Sequence, residues 1–317
     1  MQTYSHSGAV PVLGALGTIL AGAVTAVLGG LAYGYAFYYI PVAYLNVLFT
    51  LAFGAGIGFV VATAATACKV RSPRFVAAVN LGSTLLGLYV YWGAYLLALA
   101  GIDRVGLVAF WPPALLDFGR HLFENGSWGF QEDAVVKGWF LAVIWIVETG
   151  VIVGLSMMIA RTGGDRPFCE SCNEWTERER GVARLAADGS EPAWTAVLAG
   201  DLPSLASFEP AEPGARQFVR LDVARCPRCD ESRFLTASAV EIVVDKQGHS
   251  SEKLRGLITN AILTPAQFAV VEACGALYRN RLDEVAGQLG GSDEGDGDQE
   301  GCGENETDED DSNDGRE

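Results

Sequence analysis

No charged side chain occurs before Lys69 in this chain of 317 residues. A water-soluble surface cannot be built from such a stretch, because soluble domains cover themselves with Lys, Glu, Arg and Asp. Basic residues are few overall: 22 Lys and Arg stand against 38 Asp and Glu, for a net charge of -16. Phosphate backbones demand the opposite sign, so the composition speaks against a nucleic-acid partner. There is no Walker A loop, no GxGxxG after a strand, no HExxH and no GxSxG, so the usual signatures of nucleotide, zinc-protease and serine-hydrolase chemistry are missing. His121 and His249 have no companion ligand nearby and read as surface residues. Cysteine is present, but its total of seven is odd and four members fall in CxxC pairs, which excludes a secreted disulfide framework.

What is present is apolar and unevenly placed. Half of the residues are hydrophobic. A helix of about 20 apolar residues spans a bilayer. Four segments qualify: Val10–Leu31, Val42–Ala67, Val76–Ala100 and Trp139–Ala160. The first three carry no charge, and the fourth carries Glu148. The Ala21-Gly22-Ala23 triplet resembles a signal-peptide cleavage site, but Met1–Gly8 lacks a positive n-region and the apolar run continues past it. The expected fold is therefore an α-helical membrane bundle of about four helices (1–162). A small α+β zinc-binding domain (163–250), a helical extension (251–290) and a disordered acidic tail (291–317) follow it. The tail from Ser292 holds -12 of the net charge and cannot bury enough apolar surface to fold. Its two acidic runs fail the spacing of a calcium loop.

Lys69, Arg71 and Arg74 crowd the short link between segments two and three, and Arg161 and Arg166 follow segment four. Positive loops stay inside, which predicts a prokaryotic-style multi-pass protein of the inner (plasma) membrane with both termini cytoplasmic. Tyr33, Tyr35, Phe37, Tyr38 and Tyr39 are assigned to the first outer turn, and Tyr89, Tyr91, Trp92 and Tyr95 to the outward half of segment three. Rings of this kind favour the headgroup layer, next to membrane lipids. Small residues recur every four positions in segment one (Gly14, Thr18, Gly22, Ala26, Gly30) and in segment two (Thr50, Gly54, Gly58, Ala62, Thr66). Such stripes allow close helix approach. The favoured use is packing of helices one and two against each other, and the other is a homo-oligomer contact. Glu148 sits near the middle of its segment. A carboxylate there marks either an ion or proton path or a structural hydrogen bond, and the structural reading is preferred because no second acid, His or Arg accompanies it. In the outer loop, Leu115, Phe118, Leu122 and Phe123 recur at helical spacing and predict a short amphipathic helix.

Past Gly163-Gly164 the composition becomes soluble. Cys169-Glu170-Ser171-Cys172 and Cys226-Pro227-Arg228-Cys229 are two knuckles whose two-residue spacers let both sulfurs face one ion. Gln217–Val223 and Phe234–Val244 read as strands flanking the second knuckle. Strand, CPxC knuckle and strand resemble half of a zinc ribbon. The resemblance covers the knuckles and their flanking strands, and it implies one structural Zn2+ per chain held by Cys169, Cys172, Cys226 and Cys229. The knuckles stand more than fifty residues apart in the chain, against about 15–20 in ordinary ribbons, so the site must close around an insertion. That insertion holds a candidate helix at Pro192–Ala199, a turn at Asp201-Leu202-Pro203 and a loop at Glu209–Ala215. A redox CxxC and four unliganded thiols are the competing readings.

Ser251–Ile262 and Pro265–Tyr278 are predicted as helices, the second with a Thr264/Gln267 capping box. Phe268, Val271 and Leu277 supply its apolar surface, with Cys274 as a small buried hydrophobe. Three functions follow. The first is a non-enzymatic membrane-anchored zinc scaffold or regulatory module for a cytoplasmic protein partner. The second is a small transporter or channel-like protein with Glu148 in the path, and the third is a membrane redox protein.

Overall fold

A computed structural model describes residues 1–290, apart from residues 41, 127, 130–134, 165 and 188–190. The expected tail and Cys302 lie outside the described residues. Four long helices form the first half: α1 (Val12–Tyr39), α2 (Ala43–Ala67), α3 (Pro73–Ala100) and, after a shorter α4 (Pro112–Asn125), α5 (Gly138–Thr162). The four long helices are each apolar and long enough to cross a membrane. α1 runs eight residues beyond the Leu31 boundary expected for it, because Ala32–Tyr39 contains neither proline nor charge to stop it. Its aromatic residues thus belong to the helix rather than to a turn, and Tyr33 is buried inside the bundle. Ser72 accepts a hydrogen bond from Phe75 N at 3.4 Å and Pro73 occupies the first turn, which together set the start of α3.

Both small-residue stripes are used within the chain, but not against each other. The stripe of α1 lies mainly on α3, where a Cβ at Gly30 would sit 2.5 Å from the Gly87 carbonyl oxygen, while its first member, Gly14, faces the Cys68 carbonyl at the end of α2. The stripe of α2 lies on α5: a Cβ at Gly54 would sit 2.8 Å from the Ile152 carbonyl oxygen. Helices approach this closely only where side chains are absent. Asn80, Thr84 and Ser156 knit α3 to α5, with Asn80 Nδ2 donating to Ser156 Oγ at 2.9 Å and the two hydroxyls 2.9 Å apart. α4 is the predicted amphipathic helix. It buries Phe118 and Leu122, the former against Trp92 and Tyr95 of α3, so it packs on the bundle through this stripe.

The second half is built on a four-stranded antiparallel meander, β3 (Glu177–Ala186), β4 (Gln217–Arg225), β5 (Arg233–Val244) and β6 (Ser250–Ile262), in that order. Ahead of it stands a hairpin of two-residue strands, β1 (Phe168–Cys169) and β2 (Glu174–Trp175). The insertion holds α6 (Glu191–Ala199) and a 3-10 turn (Leu202–Ser207), and α7 (Pro265–Gly290) ends the described chain. The core between the sheet and α7 is aliphatic: Leu185, Leu202, Leu205, Leu221, Leu235 and Val271 are fully buried. The Thr264/Gln267 capping box forms as predicted, with Thr264 N donating to Gln267 Oε1 at 3.0 Å and Gln267 N to Thr264 Oγ1 at 3.3 Å. Cys274 is buried, whereas Leu277 is turned outward.

Two elements differ from expectation. Ser251–Ile262 is a strand, not a helix. Glu252, Lys253, Leu254 and Arg255 favour helix locally, but the Asp245–His249 turn folds the segment back onto β5. There Asp245 Oδ1 accepts from Gln247 N at 2.9 Å and from His249 N at 2.8 Å. Ladder pairing from Phe234–Ile262 to Val244–Ser250 then outweighs propensity. The sheet consequently runs through residue 250. β3 carries no alternating signal in Glu177–Arg180 and was not foreseen from the sequence. It is bulged at Gly181, whose N donates to the buried Asp222 Oδ1 at 2.8 Å.

Candidate metal centre

The first knuckle grows out of β1 and turns through Asn173, which adopts a left-handed conformation at φ 53°. The second occupies the β4–β5 connection, closed by Cys226 N donating to the Ser232 carbonyl at 3.0 Å. These two turns bring the sulfurs of Cys169, Cys172, Cys226 and Cys229 within 4.8 Å of one another. The Cys169 and Cys229 sulfurs are 3.6 Å apart. A disulfide requires about 2.05 Å, while four sulfurs placed tetrahedrally about 2.3 Å from an ion are separated by roughly 3.8 Å. The arrangement therefore fits a cation shared by four thiolates. Cys169 and Cys226 are buried, and Cys172 and Cys229 are half-buried.

The thiols do not ionise alike. Burial opposes ionisation of Cys169, but hydrogen bonds from Ser232, the Cys172 backbone, Cys229 and Cys226 outweigh it and bring the thiol down to about 7. The Cys172 thiol is pushed up to about 12, first by its hydrogen bond with Cys229 and then by burial. Ionisation is thus favoured at Cys169 and opposed at Cys172. A cation bound among the four sulfurs would offset the opposition at Cys172, because it stabilises each thiolate that binds it.

The knuckle hairpin rests on the bundle. Arg71, in the α2–α3 link, pairs with Glu170 and stacks 4.5 Å from the Phe168 ring centroid. Lys69 Nζ donates to the Asn173 carbonyl at 2.6 Å and lies 3.5 Å from Glu174. Trp175 Nε1 donates to the Thr66 carbonyl at the end of α2, at 2.8 Å. The N-terminal segment joins the same body. Thr3 bridges Ala261 on the free edge of β6, Tyr4 N donates to the Asn260 carbonyl at 2.9 Å, and the Tyr4 hydroxyl accepts from Phe168 N at 3.1 Å. The chain start, the basic link and the cysteine domain thus share one end of the bundle. Nothing in the sequence pattern of Met1–Gly8 announced this contact.

Glu148 lies far from the sulfurs, half-buried between α1, α2 and α5. Its Oε1 accepts from the Tyr33 hydroxyl, which is also 2.8 Å from Thr50 Oγ1. Tyr33 stacks among Phe53 and Tyr91, with ring centroids at 5.1 and 4.6 Å. Sequence reasoning missed Tyr33 as the carboxylate's partner because it assigned that residue to a turn. The available signal was position: Tyr33 lies three residues beyond Gly30, so it continues the buried face of α1.

No family model matches the chain, and no match is found among curated proteins or among solved structures.

Proposed function

We propose that this protein is a membrane-anchored zinc module, a non-enzymatic scaffold or regulatory unit of the inner (plasma) membrane that offers its sheet domain to a cytoplasmic protein partner. The observation that carries the reading is the convergence of four cysteine sulfurs within 4.8 Å, two of them on a hairpin clamped to the bundle and two in the β4–β5 connection. Four thiolates with no open position suit structural zinc, with tetrahedral iron as the alternative for a soft sulfur set. Strand, knuckle and strand across β4 and β5 are consistent with a zinc-ribbon-like module closed around a long insertion. When bound, the ion supplies folding energy on the order of 10 kcal/mol. Cys169 and Cys172 tie that energy to the α2–α3 link through Arg71 and Lys69.

A cytoplasmic placement of both termini is supported by two independent features. Free thiols need a reducing compartment, and Lys69, Arg71, Arg74 and Arg161 gather at the end of the bundle that bears the cysteines. Metal analysis of the full chain in neutral detergent is the decisive experiment. One zinc per chain is expected, falling below a tenth of that in Cys169→Ser. A metal-free protein with readily formed Cys169–Cys172 or Cys226–Cys229 disulfides would instead establish the redox reading. Labelling of intact cells with an impermeant thiol reagent should leave all four cysteines unmodified, and modification refutes the topology.

A transport or channel role is the second reading, and the polar chain from Glu148 through Tyr33 to Thr50 across three helices favours it. Flux through reconstituted vesicles that disappears in Glu148→Gln, with metal content unchanged, establishes transport. Absence of flux in the wild type leaves the anchor.

A further inference from the structure

A cavity of about 420 Å³ lies where the bundle meets the sheet domain, within the range of about 300–1,000 Å³ typical of small-ligand sites. Its bundle wall is apolar: Ala65 near the end of α2, Val76 and Ala77 in the first turns of α3, and Met157 near the end of α5. Arg71, Arg74 and Arg161 also line it, and no Asp or Glu does among the described residues. On the side of the sheet domain stand Trp175 and His6. Their ring nitrogens are already engaged, Trp175 Nε1 with the Thr66 carbonyl at 2.8 Å and His6 Nε2 with the Gly164 carbonyl at 2.6 Å.

The three arginines are not equally satisfied. Arg71 uses Nη1 on Glu170, but its Nε is buried with no acceptor. Arg74 and Arg161 have no carboxylate partner among the described residues. A buried guanidinium nitrogen without an acceptor is costly, and an anion in the cavity removes that cost. The depth is also informative. α2 ends at Ala67, α3 begins at Pro73 and α5 ends at Thr162, so the cavity sits where the apolar spans stop. In a bilayer that level is the headgroup layer, where basic pockets between helices take lipid phosphates. Guanidinium groups match phosphate oxygens in pairs. A ligand that uses both walls carries an anion at one end and hydrocarbon at the other.

We propose that this cavity binds an anionic membrane phospholipid, its phosphate held by Arg71, Arg74 and Arg161 and the upper part of its chains against Ala65, Val76, Ala77 and Met157. The lipid then joins the bundle to the cysteine hairpin through Arg71. A soluble anion satisfies the arginines and leaves the apolar wall unused.

The full chain in neutral detergent, read by native mass spectrometry with phosphatidylglycerol or phosphatidylcholine of identical chains, tests this. Phosphatidylglycerol is expected to be retained about tenfold over phosphatidylcholine. The double variant R74Q/R161Q should lose that preference at unchanged metal content, since neither side chain has a described contact with the cysteine hairpin. R161Q alone, in the exposed last turn of α5, should weaken it by about fivefold and serves if the double variant misfolds. A77L, which fills the apolar wall, should lower lipid retention without altering charge. Equal retention of both lipids by the wild type overturns the proposal, as does an undiminished preference in R161Q or an undiminished retention in A77L. Displacement of phosphatidylglycerol by inorganic phosphate at comparable concentration also overturns it, by marking a site for a soluble anion. Metal content, read in the same spectra, separates failure here from failure of the zinc reading.

Discussion

The two halves of the molecule both bury aliphatic side chains, but they differ in what they expose and in how much polar surface they bury. In the bundle Leu13, Leu20 and Tyr44 are 83, 65 and 86% exposed, while Thr18, Asn80, Thr84 and Ser156 are buried. In the sheet domain Leu185, Leu205, Leu221 and Leu235 are buried, and Glu177, Glu179, Lys253 and Arg255 face outward. Water drives the second pattern, because burying a large aliphatic side chain there is favourable by about 1.5–3 kcal/mol. Hydrocarbon gives no such drive, so the bundle is held by close backbone approach and by buried hydroxyls and amides. The contact between the halves is made by charged and aromatic groups at the end of the apolar helices.

That contrast can be tested in order of effect. Stripping the proposed metal should cost the most, on the order of 10 kcal/mol, and should fall on one side only. Chelator is expected to expose the β3–β6 amides to hydrogen exchange while α1–α3 stay protected. Loss of protection in both halves together would show that the bundle depends on the metal as well. Next come single leucines. Leu235→Ala should destabilise the sheet domain by about 2–5 kcal/mol, whereas Leu20→Ala should change thermal stability in detergent by less than about 0.5 kcal/mol. Equal effects would contradict the different exposure of these two leucines.

Adding volume should reverse the ranking. Gly54→Val should cost the bundle about 1–3 kcal/mol, because α5 backbone occupies the space a side chain needs. A neutral result would mean that α2 and α5 are not in contact. The smallest effect is expected at the capping box. Thr264→Ala should cost about 1 kcal/mol, confined to α7 and visible as faster exchange at Gln267 N. No change there would mean that the Thr264 hydroxyl does not cap the helix in solution.

Much of this was legible in residues read one segment at a time. The absence of charge before Lys69 marks the spans. Two residues between cysteines mark each knuckle, and Thr264 with Gln267 marks the start of α7. These signals depend on spacings of a few residues, which helix and turn geometry convert directly into contacts. Where the reading failed, the deciding contact was distant. Ser251–Ile262 has helix-forming residues and still pairs with β5. Glu177–Arg180 has no apolar alternation and still becomes a strand, because β4 and Asp222 receive it. Tyr33 was separated from Glu148 by 115 positions and by a misplaced helix end.

By itself the sequence determined that four apolar segments precede a more polar cysteine-bearing region, and which sulfurs are able to share an ion. Only the tertiary structure decided that the two knuckles meet, that the chain start joins the edge of β6, that the basic link carries the first knuckle, and that three arginines share one cavity. The physical reason is range. Backbone periodicity and side-chain spacing act over a turn or two of helix, whereas these contacts require closing loops of tens of residues. Their outcome depends on the packing of everything between.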